Sequence, residues 1–268
     1  MTHLRRTAAI VLRQFYLLRV SPVRAVSLFA WVAVDIVLWG FITKYLNAVT
    51  EPGFDFVPVL LGAVLLWDFF TRVMHGVTTA FLEDLWSHNF LNVFGSPLSI
   101  TEYAAGLVLS SMATSAVGLV AMLVLASTFF GLSFFAYGLP LVPFLLVLFL
   151  SGIALGIFGT AFVLRNGPAS EWLIWPIPVF LSPFVAVFYP VSTLPGWMQQ
   201  VSRLLPPTYV FEGIRAIVLG RPFSGAALAW SACLAAAYIV LASWCFARIH
   251  RRAVRTGLLA RYSAESAN

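Results

Sequence analysis

The sequence predicts an all-α integral membrane protein: six transmembrane helices, an N-terminal interfacial amphipathic helix, and two short re-entrant outer helices between the fifth and sixth spans. Three observations carry this. Of 268 residues, 61% are apolar and only 10% charged, with a mean hydropathy of +0.93, whereas a soluble domain carries about 25% charge. Six segments are apolar over roughly the 20 residues a spanning helix needs. Five arginines (Arg5, Arg6, Arg13, Arg19, Arg24) precede the first of them and five (Arg248, Arg251, Arg252, Arg255, Arg261) follow the last. By the positive-inside rule both ends are cytoplasmic, which requires an even number of crossings.

The N-terminal helix rests on Leu4, Ala8, Val11, Phe15 and Leu18, which recur at helical spacing with arginines on the other faces. That pattern places a helix in the plane of the inner membrane interface. Arg13 and Arg19 interrupt the apolar run too early for a cleavable signal, and no small-residue cleavage site follows. The alternative reading of RRTAAIV is a twin-arginine export signal.

The spans fall at about 26–46, 57–80, 104–128, 140–164, 172–190 and 226–247. Pro176, Pro178, Pro183 and Pro190 interrupt the fifth. Proline inside a span frees backbone carbonyls that neighbouring helices or a cavity must satisfy, so this segment is expected to pack against protein.

Between the second and third spans the chain reads FLEDLWSHNFLNVFGSPLSITEYAAG from Phe81. Leu82, Leu85, Trp86, Phe90, Val93 and Phe94 mark an amphipathic continuation of the second span over 81–98, stopped by Gly95 and Pro97. Ser99 then opens a capping box with Glu102, where the third span begins.

The stretch LPGWMQQVSRLLPPTYVFEGIR, Leu194 to Arg215, is too polar to cross a bilayer and too apolar for a solvated loop. It resolves into two short helices within 193–220. Ser192 or Thr193 caps the first, Pro195 lies in its opening turn, and Pro206-Pro207 ends it. Thr208 caps the second, which Gly220 and Pro222 terminate. Such a pair dips into the outer leaflet without crossing it.

The same inventory excludes several chemistries. Lys44 is the only lysine and sits in FITKYL with no glycine-rich loop, so the chain does not hydrolyse ATP through a P-loop. Cys233 and Cys245 share one apolar run and are not spaced as metal ligands, and His3, His88 and His250 are scattered. Neither a metal site nor a nucleic-acid partner is expected.

Two signatures carry a family resemblance. The outer one, LPGWMQQVSRLLPPTYVFEGIRAIVLG, is similar to P-x-W followed by N/P-P-x-x-Y-x-x-E-x-x-R. The inner one, EDLWSHNFLNVFGSPLSITEY, is similar to a loop ending in a "sPls" turn. With the order of elements, these make the chain resemble the membrane subunit of type-2 ABC exporters, the bacterial drug, lipid and polysaccharide export permeases. Pro206 stands where Asn is common before Pro207. The resemblance implies a second permease subunit, as a homodimer or heterodimer, and two cytoplasmic P-loop ATPase subunits that bind MgATP, with no cofactor in this chain. It implies a multi-pass location in the bacterial inner membrane among its lipids. The outer helices would roof a translocation path between two permeases.

Candidate residues follow at three depths. At the inner end, Glu83, Asp84, Trp86, Asn89 and Phe90 read either as a coupling helix that seats in a cleft of the ATPase or as an ordinary interfacial helix. The loop 81–103 carries no Lys or Arg, which is unusual for a segment anchored to anionic lipid. At mid-depth, Asp35, Trp39, Trp67, Asp68, Phe69 and Arg72 are expected along the path. Charge in a span costs about 2.5–3.5 kcal/mol per group, so it faces a partner or a cavity. Asp68 and Arg72 are spaced i,i+4 for a helix-internal ion pair, Asp35 lines the path or pairs with Arg72 across the bundle, and His75 is the only nearby group for a proton relay. The aromatic rings either stack on cargo or serve core packing and interface belts. At the outer end, Glu212 and Arg215, with Tyr209, read as a bridge that fixes the roof or as a surface pair contributing under about 1 kcal/mol.

The expected function is ATP-driven export of an amphiphilic cargo, a drug, lipid or lipid-linked glycan, by alternating access. The alternatives are a gradient-driven secondary transporter, which predicts an inverted repeat with paired broken helices, and a non-transporting membrane scaffold.

Overall fold

The computed structural model describes residues 2–20, 22–50, 56–87, 93 and 95–257. Among them all regular structure is helical: α1 Thr2–Val20, α2 Pro22–Val49, α3 Gly62–Trp86, α4 Ile100–Phe130, α5 Leu141–Asn166, α6 Ile177–Val185, α7 Gly196–Ser202, α8 Pro206–Val218 and α9 Gly225–Arg255. Among the described residues five stretches are long and apolar enough to cross a membrane: Val32–Val49, Val57–Trp86, Ile100–Phe130, Leu141–Asn166 and Gly225–Arg255.

The expected fifth span is not a continuous helix. A 3-10 turn at Pro168–Leu173 leads to α6, whose nine residues contain Pro183, and α6 ends on Ala186 with a positive φ of 57°. Nine residues rise about 14 Å, under half of a hydrocarbon core about 30 Å thick. The prolines explain the break, since each removes an amide donor and crowds the preceding turn.

The centre of the bundle is α3, the most buried of the five long segments. It packs against α4 on one side and α5 on another, and α5 packs in turn along α9. Gly152 and Gly156 make the α3–α5 approach possible. A Cβ at Gly152 would sit 2.8 Å from Val73 Cβ and 2.9 Å from the Phe70 carbonyl, and one at Gly156 would sit 2.8 Å from the Met74 carbonyl. Small residues four apart let two backbones meet in this way inside a membrane. The outer entry to α3 is a π-helical turn, Val57–Leu61, whose Pro58 carbonyl accepts from Tyr137 Oη at 2.6 Å. By contrast few residues of α2 and α9 are buried along their apolar length.

The capping box forms in full: Glu102 N donates to Ser99 Oγ at 3.3 Å and Ser99 N to Glu102 Oε2 at 2.7 Å. The amphipathic continuation of the second span is part of α3 as far as Trp86; Phe90 and Phe94 lie outside the described residues. The N-terminal helix also forms. Its predicted apolar face, with Leu4, Ala8 and Phe15, is exposed, while Ile10 and Gln14 turn inward.

Helix ends in the outer insert differ from expectation. Ser192 and Thr193 belong to a 3-10 turn, and Pro195 holds the N-cap position of α7 without a side-chain cap. α7 stops at Ser202, before the prolines. Pro206 and Pro207 instead open α8, with Leu205 at its N-cap, and Thr208 lies inside the helix. Proline suits a first helical turn because the amide it lacks would have no helical partner there. The far end follows expectation: Gly220, at φ 65°, donates to Ile217 O and Arg221 N donates to Ala216 O at 2.8 Å, a Schellman closure.

Candidate functional site

At the end of the bundle expected to be the inner one, two carboxylates bracket the loop between α3 and α4, and α1 holds both. Asp84, in the last turn of α3, is completely buried. Its Oδ1 accepts from Arg13 Nη2 of α1, and its Oδ2 accepts from Tyr103 Oη of α4 at 2.7 Å. Glu102, at the start of α4, pairs through Oε1 with His3 and, at 3.7 Å, with Arg6, both on α1. Gln14 Nε2 adds a bond to the Ala80 carbonyl at 3.5 Å. The arginines of α1 therefore serve two purposes, some toward solvent and some toward acids of the bundle.

Of the residues expected at this end, Asp84 faces inward and Glu83 is half-buried. Trp86 is exposed, and its indole donates to Glu171 Oε2 at 2.8 Å. Glu171 lies in the 3-10 turn after α5, so this bond ties the inner ends of α3 and α5. Asn89 and Phe90 lie outside the described residues.

At mid-depth the expected ion pair between Asp68 and Arg72 does not close. Neither Asp68 nor Asp35 has an ion pair among the described residues, and Asp68 Oδ2 is buried without a hydrogen-bond partner. The Arg72 stem lies against α4, where a Cβ at Gly118 would meet its Cδ at 2.7 Å. That direction takes the guanidinium off the i,i+4 line. Trp39 stacks on Phe188 at 5.0 Å, and Trp67 meets Phe70 at 4.9 Å and Phe211 of α8 at 6.1 Å. Phe69 belongs to the buried core. His75 sets its ring on Trp175 at 4.9 Å.

At the outer end the expected Glu212–Arg215 bridge forms at 2.7 Å, and it reaches further than its own helix. Glu212 Oε1 also accepts from Val191 N at 2.8 Å, and Arg215 Nη2 donates to the carbonyls of Ala186 and Val187 at 3.0 and 3.3 Å. Those carbonyls are freed where α6 breaks. Burial pulls the Arg215 guanidinium down from its ordinary pKa, and the Glu212 charge opposes this. Tyr209 Oη donates to Arg203 O at 2.8 Å across the α7–α8 turn, and Ser202 Oγ to Phe184 O at 2.5 Å.

The E-x-x-R bridge thus clasps a proline-broken segment beneath two short helices, in a bundle of long apolar helices. Residues 41–244, most of the chain, match the family described as ABC-2 family transporter protein. The chain belongs to the ABC-2 transporter family. It is an ABC-type permease, a multi-pass membrane protein, and its family implies an ATP-binding cassette partner. No curated protein matches it. The match covers Asp68, Arg72, Glu83, Asp84 and the whole outer clasp of this ABC-2 permease, while α1, with Arg13 and His3, precedes it.

Sequence reasoning missed Arg13, Tyr103, Glu171 and Phe188 as partners. Only Arg13 carried a signal: an arginine within the apolar pattern of an interfacial helix invites a search for a buried acid.

Proposed function

We propose that this chain is the permease subunit of an ATP-driven exporter, working as a homodimer with two P-loop ATPases that bind MgATP, and moving an amphiphilic cargo outward by alternating access. One observation carries the coupling half of this reading. The ends of the loop between α3 and α4 are fixed to α1 by Asp84 and Glu102, and Trp86 fixes α3 to the turn after α5. A push on that loop from the cytoplasm then moves the inner ends of α1, α3, α4 and α5 together. Asp84 acts here as an internal pin, and the ATPase is met by Glu83 and Trp86 together with Asn89 and Phe90, which lie outside the described residues.

The outer half completes the cycle. In this reading the broken segment 172–190 makes the sixth crossing as a helix–loop unit, the short helices α7 and α8 dip into the outer leaflet, and both termini lie in the cytoplasm of a bacterial cell. Tyr209, Glu212 and Arg215 hold the roof closed over a path along Trp39, Trp67 and Asp68 until substrate leaves.

The test is to purify the tagged full-length chain from native membranes and to measure ATP hydrolysis and subunit composition by native mass spectrometry. Two permeases with two P-loop ATPases, hydrolysing ATP with vanadate sensitivity, support the reading. A chain that purifies intact without an ATPase contradicts it.

A further inference from the structure

The last helix changes character along one side. α9, Gly225–Arg255, has 31 residues. Its rise of about 46 Å carries about 16 Å of helix beyond a hydrocarbon core about 30 Å thick. Ala235, Ala242, Phe246 and Ala253 form its buried face, and α5 is the helix it packs along. Arg248, Arg251, Arg252 and Arg255 lie on the opposite side, at the i, i+3, i+4, i+7 spacing of a single stripe, within an arc of about 100°. All four are exposed.

Val240, Leu241 and Trp244 continue that side toward the middle of the helix and are exposed as well. The stripe therefore passes from apolar to basic within a few turns. Where its two halves meet, the Arg248 guanidinium lies over the Trp244 ring at 5.5 Å.

No acid on this helix neutralises the stripe. Residues 225–257 contain no Asp or Glu, and none of the four arginines has an ion pair among the described residues. Phe144 and Phe223 meet at 5.7 Å where α5 and α9 begin. The two helices therefore run parallel, and the arginines lie at the end of the bundle that holds Trp86 and Glu171. Asp84, Glu102 and Glu171 at that end are taken by Arg13, His3 and Trp86.

A surface apolar at acyl depth and cationic at headgroup depth matches a phospholipid. Flexible arginine stems let four guanidiniums spread over about 10 Å of helix rise reach one headgroup layer, about 5–8 Å deep, and tryptophan suits the boundary between the layers. A second copy of the chain is a poor occupant, because it would set the same four cations against these.

We propose that this stripe of α9 binds an anionic phospholipid, with the phosphodiester held by the guanidiniums of Arg248, Arg251, Arg252 and Arg255 and the acyl chains along Val240 and Leu241. Binding requires neither nucleotide nor an ATPase, so it stands apart from the export reading.

The full-length chain, delipidated in a nonionic detergent, is titrated with phosphatidylglycerol and with phosphatidylethanolamine of the same acyl chains, and bound lipid is counted by native mass spectrometry. Phosphatidylglycerol binds at least about tenfold more tightly. Arg251→Gln combined with Arg252→Gln removes most of that preference. Arg203→Gln combined with Arg221→Gln, an equal loss of charge from exposed side chains in the insert between α6 and α9, leaves it in place. Equal affinity of the unaltered chain for the two lipids overturns the proposal, and so does a preference that both double variants lose alike, which assigns it to net charge. Loss of ATPase capture in the Arg251→Gln, Arg252→Gln chain with its lipid preference intact also overturns it, and makes the stripe a docking surface for protein.

Discussion

Arg13 of α1 ion-pairs with Asp84, a completely buried carboxylate in the last turn of the central helix α3. The bond joins α1 to the most buried of the long apolar helices. Breaking such a pair by removing one partner strands the other charge, at about 3–5 kcal/mol. Arg13→Ala should therefore lower the melting temperature in detergent far more than Arg19→Ala, whose side chain is exposed. Tyr103→Phe, which removes one hydrogen bond to a charged group, should cost about 1.5–3 kcal/mol. Differential scanning fluorimetry of the three variants checks the order.

The outer clasp depends on the fork of an arginine. Arg215 binds Glu212 and two carbonyls at once, which a lysine ammonium cannot reproduce in the same plane. Arg215→Lys should open the chain around 186–195 to limited proteolysis and destabilise it by about 1–2 kcal/mol. Glu212→Gln keeps an acceptor for Val191 N on a partly exposed side chain and should cost under about 1 kcal/mol.

Gly156 meets backbone as well as side chain, so its neighbours cannot give way. Gly156→Leu should separate α3 from α5 and destabilise the bundle by about 3 kcal/mol or more, at the upper end for overpacking. Gly196→Ala, where the new Cβ meets nothing within 4 Å, should leave the melting temperature unchanged.

The bond from Trp86 to Glu171 is exposed and contributes about 0.5–1.5 kcal/mol. Trp86→Phe should barely alter stability. If the proposed ATP-driven cycle holds, it should lower the cargo moved per ATP hydrolysed, because these ends of α3 and α5 no longer move as one. Paired transport and hydrolysis assays in proteoliposomes separate the two effects.

Elements with a local cause were legible in the sequence. The Ser99–Glu102 capping box, the Gly220 stop and the Glu212–Arg215 bridge each lie within four residues and follow from side-chain geometry alone. The helix starts in the outer insert were misplaced for an equally local reason: Pro206 and Pro207 fit a helix beginning as well as an ending, and the beginning won. The Asp68–Arg72 pair does not close in a structure where the arginine stem runs against Gly118 of α4, a tertiary contact that local spacing does not reveal. Partners distant in sequence, such as Arg13 with Asp84 and Arg215 with Ala186, have no pattern that periodicity can detect. The fifth segment was recognised as apolar and proline-broken, but its helix proved too short to span alone.

In the proposed cycle the end of α3 near Glu83 receives the stroke of an ATPase. A photoreactive side chain placed at Glu83 or at Phe90 in native membranes, with the captured partner identified by mass spectrometry, reads that contact. Capture of a P-loop ATPase is expected at both positions. No capture at either, with the chain intact and labelled, would overturn the coupling role and favour a gradient-driven transporter or a scaffold.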